Sequence, residues 1–300
     1  MPENLRVLKG RIRTAKNIAQ LAKTLEMVSV SKIRRARALA ETVRPYAERI
    51  TALTGDALRG LSPEERSHPY LRAGKSGGES PGKAAGAGAG KAPQRILLAI
   101  GPDKGLCGPL TGNIARKLAE SMDENTRLIT VGKRMEAPGV RLAGDRLVAS
   151  FMMGARLPSY SLVFQLVRVI NELMLPGQAA TLDVLYSRFV SYFSQVPTLQ
   201  HVLPLGAPAE PGAATAAPPV IEPTSATLLE ALLPHFLEVL LFDAVVQAFS
   251  AEHAARMVAM QNAKANALEI ADTFTLLYNK TRQERITSEI LDLGNKGKKK

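Results

Sequence analysis

What most restricts this 300-residue chain is how little interrupts its two ends. From residue 225 to about residue 293 there is no glycine and a single proline, Pro234. After the opening Met-Pro, the first 59 residues contain one proline, Pro45. Proline and glycine are the strongest local helix breakers, so each end reads as one long helix, the second one open to a kink at Pro234. At about 1.5 Å per residue the two would extend roughly 80 Å and 100 Å. No single globular domain of this size needs helices that long.

Both ends carry heptad spacing. Leu5, Leu8, Ile12, Ala15, Ala19 and Ala22 fall three and four residues apart, the pattern of a left-handed coiled coil. The register then slips and resumes at Leu25 and Val28, and again at Ala36, Leu39, Val43, Ala47 and Ile50. At the other end "LLEALLPHFLEVLLFDAVVQAF" is apolar on most faces and belongs in a domain core. Beyond Ala255 the seam thins to Val258, Asn262, Ala265, Leu268 and Ala271, then thickens at Phe274, Leu277, Ile286 and Ile290. The stretch "EHAARMVAMQNAKANA" (252–267) has small residues nearly all the way round, which suits a narrow two-helix rod better than an ordinary core.

The middle of the chain is different. "RILLAI" (95–100), "RLITV" (127–131) and "LDVLYSRFV" (182–190) are β-prone runs, separated by helical stretches at 110–121 and 159–175. Strands alternating with helices predict an α/β unit with a largely parallel sheet. "AGKSGGESPGKAAGAGAGKAP" (73–93), with seven glycines, reads as a flexible loop, and "GAPAEPGAATAAPPVIEP" (206–223) as a Pro/Ala linker. The expected segments are a helix over 1–60, an α/β domain over 61–224, a second helix over 225–293 and a basic tail over 294–300.

Composition narrows the function. At 46% hydrophobic and 22% charged residues the chain is globular. One cysteine, Cys107, excludes an intrachain disulfide framework and fits a reducing compartment. No apolar run reaches membrane-span length, and the basic, amphipathic N-terminus lacks a signal-peptide core. The net charge of +12 suggests an acidic partner, but it is unevenly spread. Residues 1–60 hold 13 Lys/Arg against 5 Asp/Glu, whereas 225–293 hold 5 against 9. The two ends therefore complement each other, and part of the basic excess is internal matching.

Few residues suggest chemistry. "GPDKGLCGPLTGN" lies between a strand and a helix but lacks both the Walker A ending and GxGxxG spacing, so it reads as a tight turn. Cys107 has no neighbouring base and reads as a small packed residue. His68, His201, His235 and His253 are scattered without metal-ligand spacing, so neither a metal nor a cofactor is expected. "SKIRRARA" (31–38) is a basic run without the aromatics or motifs of nucleic-acid readers. It reads as a solvated face or a contact for an acidic protein surface.

Four motifs in order then carry a resemblance: "TLEMVSVSKIRRA", "KGLCGPL", "EHAARMVAMQNAKANA" and "LLYNKTRQERITSEILDL". Together with "RPYAERI", "HPYL" and "EPTSATLLEALLP", they resemble the gamma subunit of F-type ATP synthase over nearly the whole chain. The resemblance implies an α/β fold with long helices: an antiparallel coiled coil of the N- and C-terminal helices plus a central Rossmann-like α/β domain. It implies a rotor shaft inside the alpha and beta subunits of the catalytic hexamer, with the epsilon subunit and the membrane c-ring as further partners. The chain would then carry no catalytic residue and lie peripherally at the cytoplasmic face of a bacterial inner membrane.

Residue by residue, the resemblance places Leu25, Glu26 and Met27 against the catalytic subunits, with leucine where the family often has methionine. Lys32, Arg34 and Arg35 match its basic neck, facing acidic segments of beta. Arg256, Met257, Gln261 and Asn262 fall in the matching shaft segment, and Lys280, Arg282, Gln283 and Thr287 near its upper bearing. The glycine-rich loop is not a family feature, and the dithiol insert of chloroplast versions is missing. A nucleic-acid binder accounts for the charge but not the small-residue helix. A nucleotide-dependent enzyme accounts for the α/β unit but not the two long helices.

Overall fold

The computed structural model describes residues 5–61, 68–71, 94–154, 156–176, 179–205 and 224–297. The glycine-rich loop expected at 73–93, the linker at 206–223 and the last three lysines lie outside the described residues. The chain divides into two compact units, one of Met1–Val30 with Arg256–Lys300, the other of Ser31–Ala255. Two long helices, α1 (Leu5–Arg59) and α5 (Ser225–Gly297), contribute to both, with Pro45 and Pro234 inside them.

The larger unit is built on five strands: β1 (Gln94–Ile100), β2 (Thr126–Val131), β3 (Leu147–Phe151), β4 (Ala179–Phe189) and β5 (Gln195–Leu203). Their order is β3-β2-β1-β4-β5, parallel except for β5, which pairs antiparallel with β4. Three helices make the crossovers: α2 (Leu110–Ser121), α3 (Lys133–Ala143) and α4 (Tyr160–Met174). This is the Rossmann-like arrangement, with both faces of the sheet covered.

Period-two alternation sorts the strand residues between the faces. Ile96, Leu98, Ile100, Ile129, Val131 and Val184 pack with α4 (Val163, Leu166, Ile170), with α5 (Leu233, Leu237, Leu241, Val245) and with Ala36 and Ala57 of α1. Leu97, Ala99, Leu128 and Leu185 face the opposite side, against Leu110, Ile114 and Leu118 of α2 and Met135 of α3. Tyr70 anchors the short described segment 68–71, donating its hydroxyl to Asn171 while its carbonyl accepts from the Leu205 amide.

Three elements were absent from the sequence reading. Pro138 and Gly139 mask α3; a Cβ on Gly139 would come within 2.9 Å of the Thr130 methyl, so close approach to β2 favours glycine there. β3 and β5 are edge strands with half-exposed, mixed sequences, and β5 carries Pro197. An edge position tolerates proline because the missing donor costs no second ladder.

In the smaller unit α1 and α5 run antiparallel. The Arg11 guanidinium lies 5.5 Å from the Phe274 ring centroid, and Lys264 Nζ donates to Glu26 Oε2 at 2.7 Å, so numbers rise along one helix as they fall along the other. The observed seam corrects the sequence reading. Its α1 track runs Leu8, Ile12, Ala15, Ala19, Ala22, Glu26 and Ser29, all buried or half-buried; within the larger unit the same spacing holds at Ile33, Ala36, Ala40, Val43, Ala47, Ile50, Thr54 and Ala57, with Leu39, expected in the seam, half-buried beside it. The four-three rhythm never slips; Leu25 and Val28 are exposed, and polar Glu26 and Ser29 take the seam.

The corresponding α5 seam is Met260, Lys264, Ala267, Ala271, Phe274, Tyr278 and Thr281. Asn262, Ala265, Leu268, Leu277, Ile286 and Ile290, expected in the seam, are exposed instead. The reason is the same on both helices. Large apolar side chains do not mark the inner face here, because close helix approach selects small residues and one matched ion pair.

Candidate interaction surface

The outer face of the smaller unit is unusually apolar. Ile18 (49% exposed), Leu21 (65%), Leu25 (37%), Met27 (64%) and Val28 (47%) stand out from α1. On α5, Leu268, Ile270, Leu276, Ile286 and Ile290 do the same. Large apolar side chains repeated along a rod mark a surface built to be surrounded. A shallow groove of about 560 Å³ runs along one side, floored by Ala15, Ala263 and Ala267 and walled by Val7, Ile18 and Ile270.

The residues singled out from the sequence divide into two sets. Leu25, Met27, Gln261, Asn262, Lys280, Arg282, Gln283 and Thr287 are exposed, the Thr287 hydroxyl donating to the Gln283 carbonyl at 3.0 Å. Glu26 is half-buried and turned inward onto Lys264, and Met257 is half-buried. Arg256 is only 6% exposed, while Met260 packs in the seam. In the larger unit Arg34 and Arg35 are exposed, and Lys32 is half-buried with its ammonium 6.0 Å from the Phe249 ring centroid. The Phe249 ring in turn meets His253 edge-on at 4.5 Å.

A second feature lies at the carboxyl edge of the sheet, where α/β domains place ligands. Residues 101–109 follow β1. Asp103 reaches across them: its Oδ1 accepts from the amides of Lys133 (3.0 Å) and Met153 (3.2 Å), and its Oδ2 from the amide of Gly154 (2.6 Å). The Arg134 amide donates to the Pro102 carbonyl at 3.1 Å. Gly132, at φ +100°, lies so close to Gly101 that a Cβ there would sit 2.2 Å from its carbonyl oxygen.

The amide at the start of α3 that an anion would use is thus taken by a carboxylate of the chain itself. Sequence reasoning missed Asp103 because its three partners come from two later segments. Its only local signal was an acidic residue in a glycine-rich turn. Cys107 is buried, its sulfur 3.8 Å from the Lys104 carbonyl and 3.6 Å from the Thr111 hydroxyl. Leu106 beside it is exposed with a left-handed backbone, φ +63°.

Elsewhere Asp183, nearly buried on β4, bonds both Arg95 of β1 and the Nδ1 of His201 on β5. Among the described residues no cluster of three His, Cys, Asp or Glu side chains is placed to hold a metal ion. No described helix is long and apolar enough to cross a membrane.

Comparison with known proteins bears on all of this. A family model described as ATP synthase matches residues 4–295. An ATP synthase gamma chain from Dehalococcoides mccartyi is 35% identical over 294 residues, covering 97% of this chain and 96% of that one. One from Roseiflexus castenholzii is 35% identical over 303 residues, with 97% and 96% covered. For the fold alone, a chain of the Euglena gracilis mitochondrial ATP synthase (OSCP/F1/c-ring, rotational state 3) aligns at a TM-score of 0.68 and 18% identity, covering 98% of this chain and 93% of its own. A chain of the Tetrahymena thermophila mitochondrial ATP synthase central stalk/c-ring aligns at 0.57 and 19% identity, with 81% and 99% covered. With the family matched from end to end and relatives above 30% identity at near-complete coverage, the chain belongs to the ATP synthase gamma chain family.

Proposed function

We propose that this chain is the central rotor shaft of a bacterial F-type ATP synthase. Its two-helix unit turns within the hexamer of alpha and beta subunits. Its Rossmann-like unit, with the epsilon subunit, engages the c-ring. Proton flow turns the ring, the ring turns the shaft, and the uneven outer surface of the shaft drives the catalytic sites through different conformations. ATP chemistry then belongs to the beta subunits, and this chain supplies no catalytic residue. The complex sits at the cytoplasmic face of a bacterial inner membrane with this chain peripheral to it, a reading supported by the lack, among the described residues, of a helix long and apolar enough to cross a membrane.

The observation that carries the reading is the combination of a small-residue seam with an apolar exterior. Ala15, Ala19, Ala22, Ala267 and Ala271 are buried between the helices, while Ile18, Leu21, Met27 and Leu276 face out. Small inner residues keep a shaft slender. Apolar outer residues, deformable methionine among them, slide along a sleeve without the directional bonds that would hold one angle. The exposed Arg34 and Arg35 fit contacts with acidic segments that are made and broken in turn, since solvated pairs cost little to exchange.

Reconstitution tests this. The alpha and beta subunits of the same source are mixed with and without the chain, and ATP hydrolysis and complex mass are measured. One chain per hexamer, with hydrolysis dependent on it, is the expected result. A chain that neither joins the hexamer nor changes hydrolysis would overturn the reading.

A further inference from the structure

Within the smaller unit α1 carries two tracks side by side. The buried one holds Leu8, Ile12, Ala15, Ala19, Ala22, Glu26 and Ser29; the exposed one, a single position away, holds Val7, Arg11, Thr14, Ile18, Leu21, Leu25 and Val28. From Ile18 to Val28 the exposed track carries the larger apolar area and is there the better candidate for burial.

We infer that the Glu26–Lys264 ion pair is the phase key that holds α1 on the small-residue track. Both side chains occupy seam positions, 2.7 Å apart, and are only 18% and 31% exposed. The neighbouring layers, Ala19 and Ala22 on α1 with Ala267 and Ala271 on α5, offer smooth contacts with no directional preference. The ion pair does have one. Turning α1 by one position replaces Glu26 with Leu25 and leaves the Lys264 ammonium half-buried without its carboxylate. Breaking one side of such a pair costs more than the intact pair contributes, and a single polar seam residue is a known means of fixing coiled-coil register at some cost in stability.

Lys264 is therefore a positioning residue, and Glu26 acts inward rather than on a partner. The consequence, resting on the proposed shaft function, is that the pair keeps Leu25 and the rest of the apolar track turned toward the catalytic subunits.

The test is thiol labelling of the full chain, with Cys107 replaced by alanine and a single cysteine introduced by Ile18→Cys or by Ala19→Cys. With the key intact, the Ile18→Cys chain reacts with iodoacetamide much faster than the Ala19→Cys chain. In an E26Q/K264M background the first slows and the second quickens, each several-fold, and the charge-swapped E26K/K264E background restores the original ratio. General loosening would instead quicken both. An unchanged ratio in the E26Q/K264M background, with helicity by circular dichroism intact, overturns the inference. Should that background lose its helicity, E26Q alone decides by the same criterion. Labelling is done on the chain alone, so failure of the key appears there and failure of the shaft reading appears in the reconstitution.

Discussion

Asp103→Ala is the substitution whose effect follows most directly from the geometry. One carboxylate accepts from three backbone amides, those of Lys133, Met153 and Gly154, at 3.0, 3.2 and 2.6 Å. It thereby joins the β1 turn to the start of α3 and to the segment after β3. A hydrogen bond to a charged group contributes about 1.5–3 kcal/mol when its partner would otherwise be unsatisfied. Two of the three amides lie in exposed surroundings, where water replaces much of what is lost. The net local loss is therefore about 2 kcal/mol rather than the sum of three bonds.

Amide hydrogen exchange reads this residue by residue. A loss of about 2 kcal/mol corresponds to roughly 30-fold faster exchange at Lys133, Met153 and Gly154, with amides inside β1 little changed. Added inorganic phosphate or sulfate should slow exchange again in Asp103→Ala, because the vacated amide at the start of α3 is suited to an anion. It should do nothing in the parent chain. Asp103→Ala with exchange at those amides within twofold of the parent would refute the argument, whatever its effect on the complex.

Two further outcomes follow from packing and burial. Ala271 is 1% exposed in the helix seam, so Ala271→Leu forces the helices apart and should destabilise the two-helix unit by about 1–3 kcal/mol; Leu276→Ala on the exposed face should stay within about 0.5 kcal/mol of the parent. Chemical denaturation followed by circular dichroism compares the two, and equal effects would contradict the observed register. Burial pushes the Tyr70 hydroxyl up to about 12, against an ordinary value of 10. Its folded value lies above the unfolded one, so its contribution is complete below about pH 10 and is lost as pH rises toward 12. Tyr70→Phe should flatten that part of the stability profile, and an unchanged slope between pH 10 and 12 would show that Tyr70 is not the group responsible.

The internal arrangement of the smaller unit also bears on how a rotor element must be built. Burial of the largest apolar residues would give the most stable isolated coiled coil, yet Ile18, Leu21 and Leu25 are left outside and alanines are placed within. Stability of the chain alone is given up for a thin rod with an apolar exterior. That exchange is economical only where a surrounding partner covers the exterior.

Much of the architecture was readable without coordinates. Absence of glycine over 225–293, and of any proline beyond Pro234, determines a long helix, because nothing after that proline can end one. The continuous apolar runs of β1, β2 and β4 announced themselves because strands buried on both faces need no polar alternation. Their observed ranges differ from the expected ones by a few residues at most.

What escaped sequence reading depended on distant partners. α3 contains a proline and a glycine that local rules count against a helix, and only its packing onto β2 explains Gly139. β3 and β5 sit at the sheet edges, where half-exposure erases the pattern. The helix seam was misplaced at Leu25 and Val28, and again at Leu268, because hydrophobicity along one helix cannot tell an inner face from an outer face that a partner will cover. The choice was made by contacts between residues more than two hundred positions apart, Glu26 with Lys264. Local sequence sets which backbone conformations are cheap; the pairing of faces is a property of two surfaces together, and only the tertiary structure holds both.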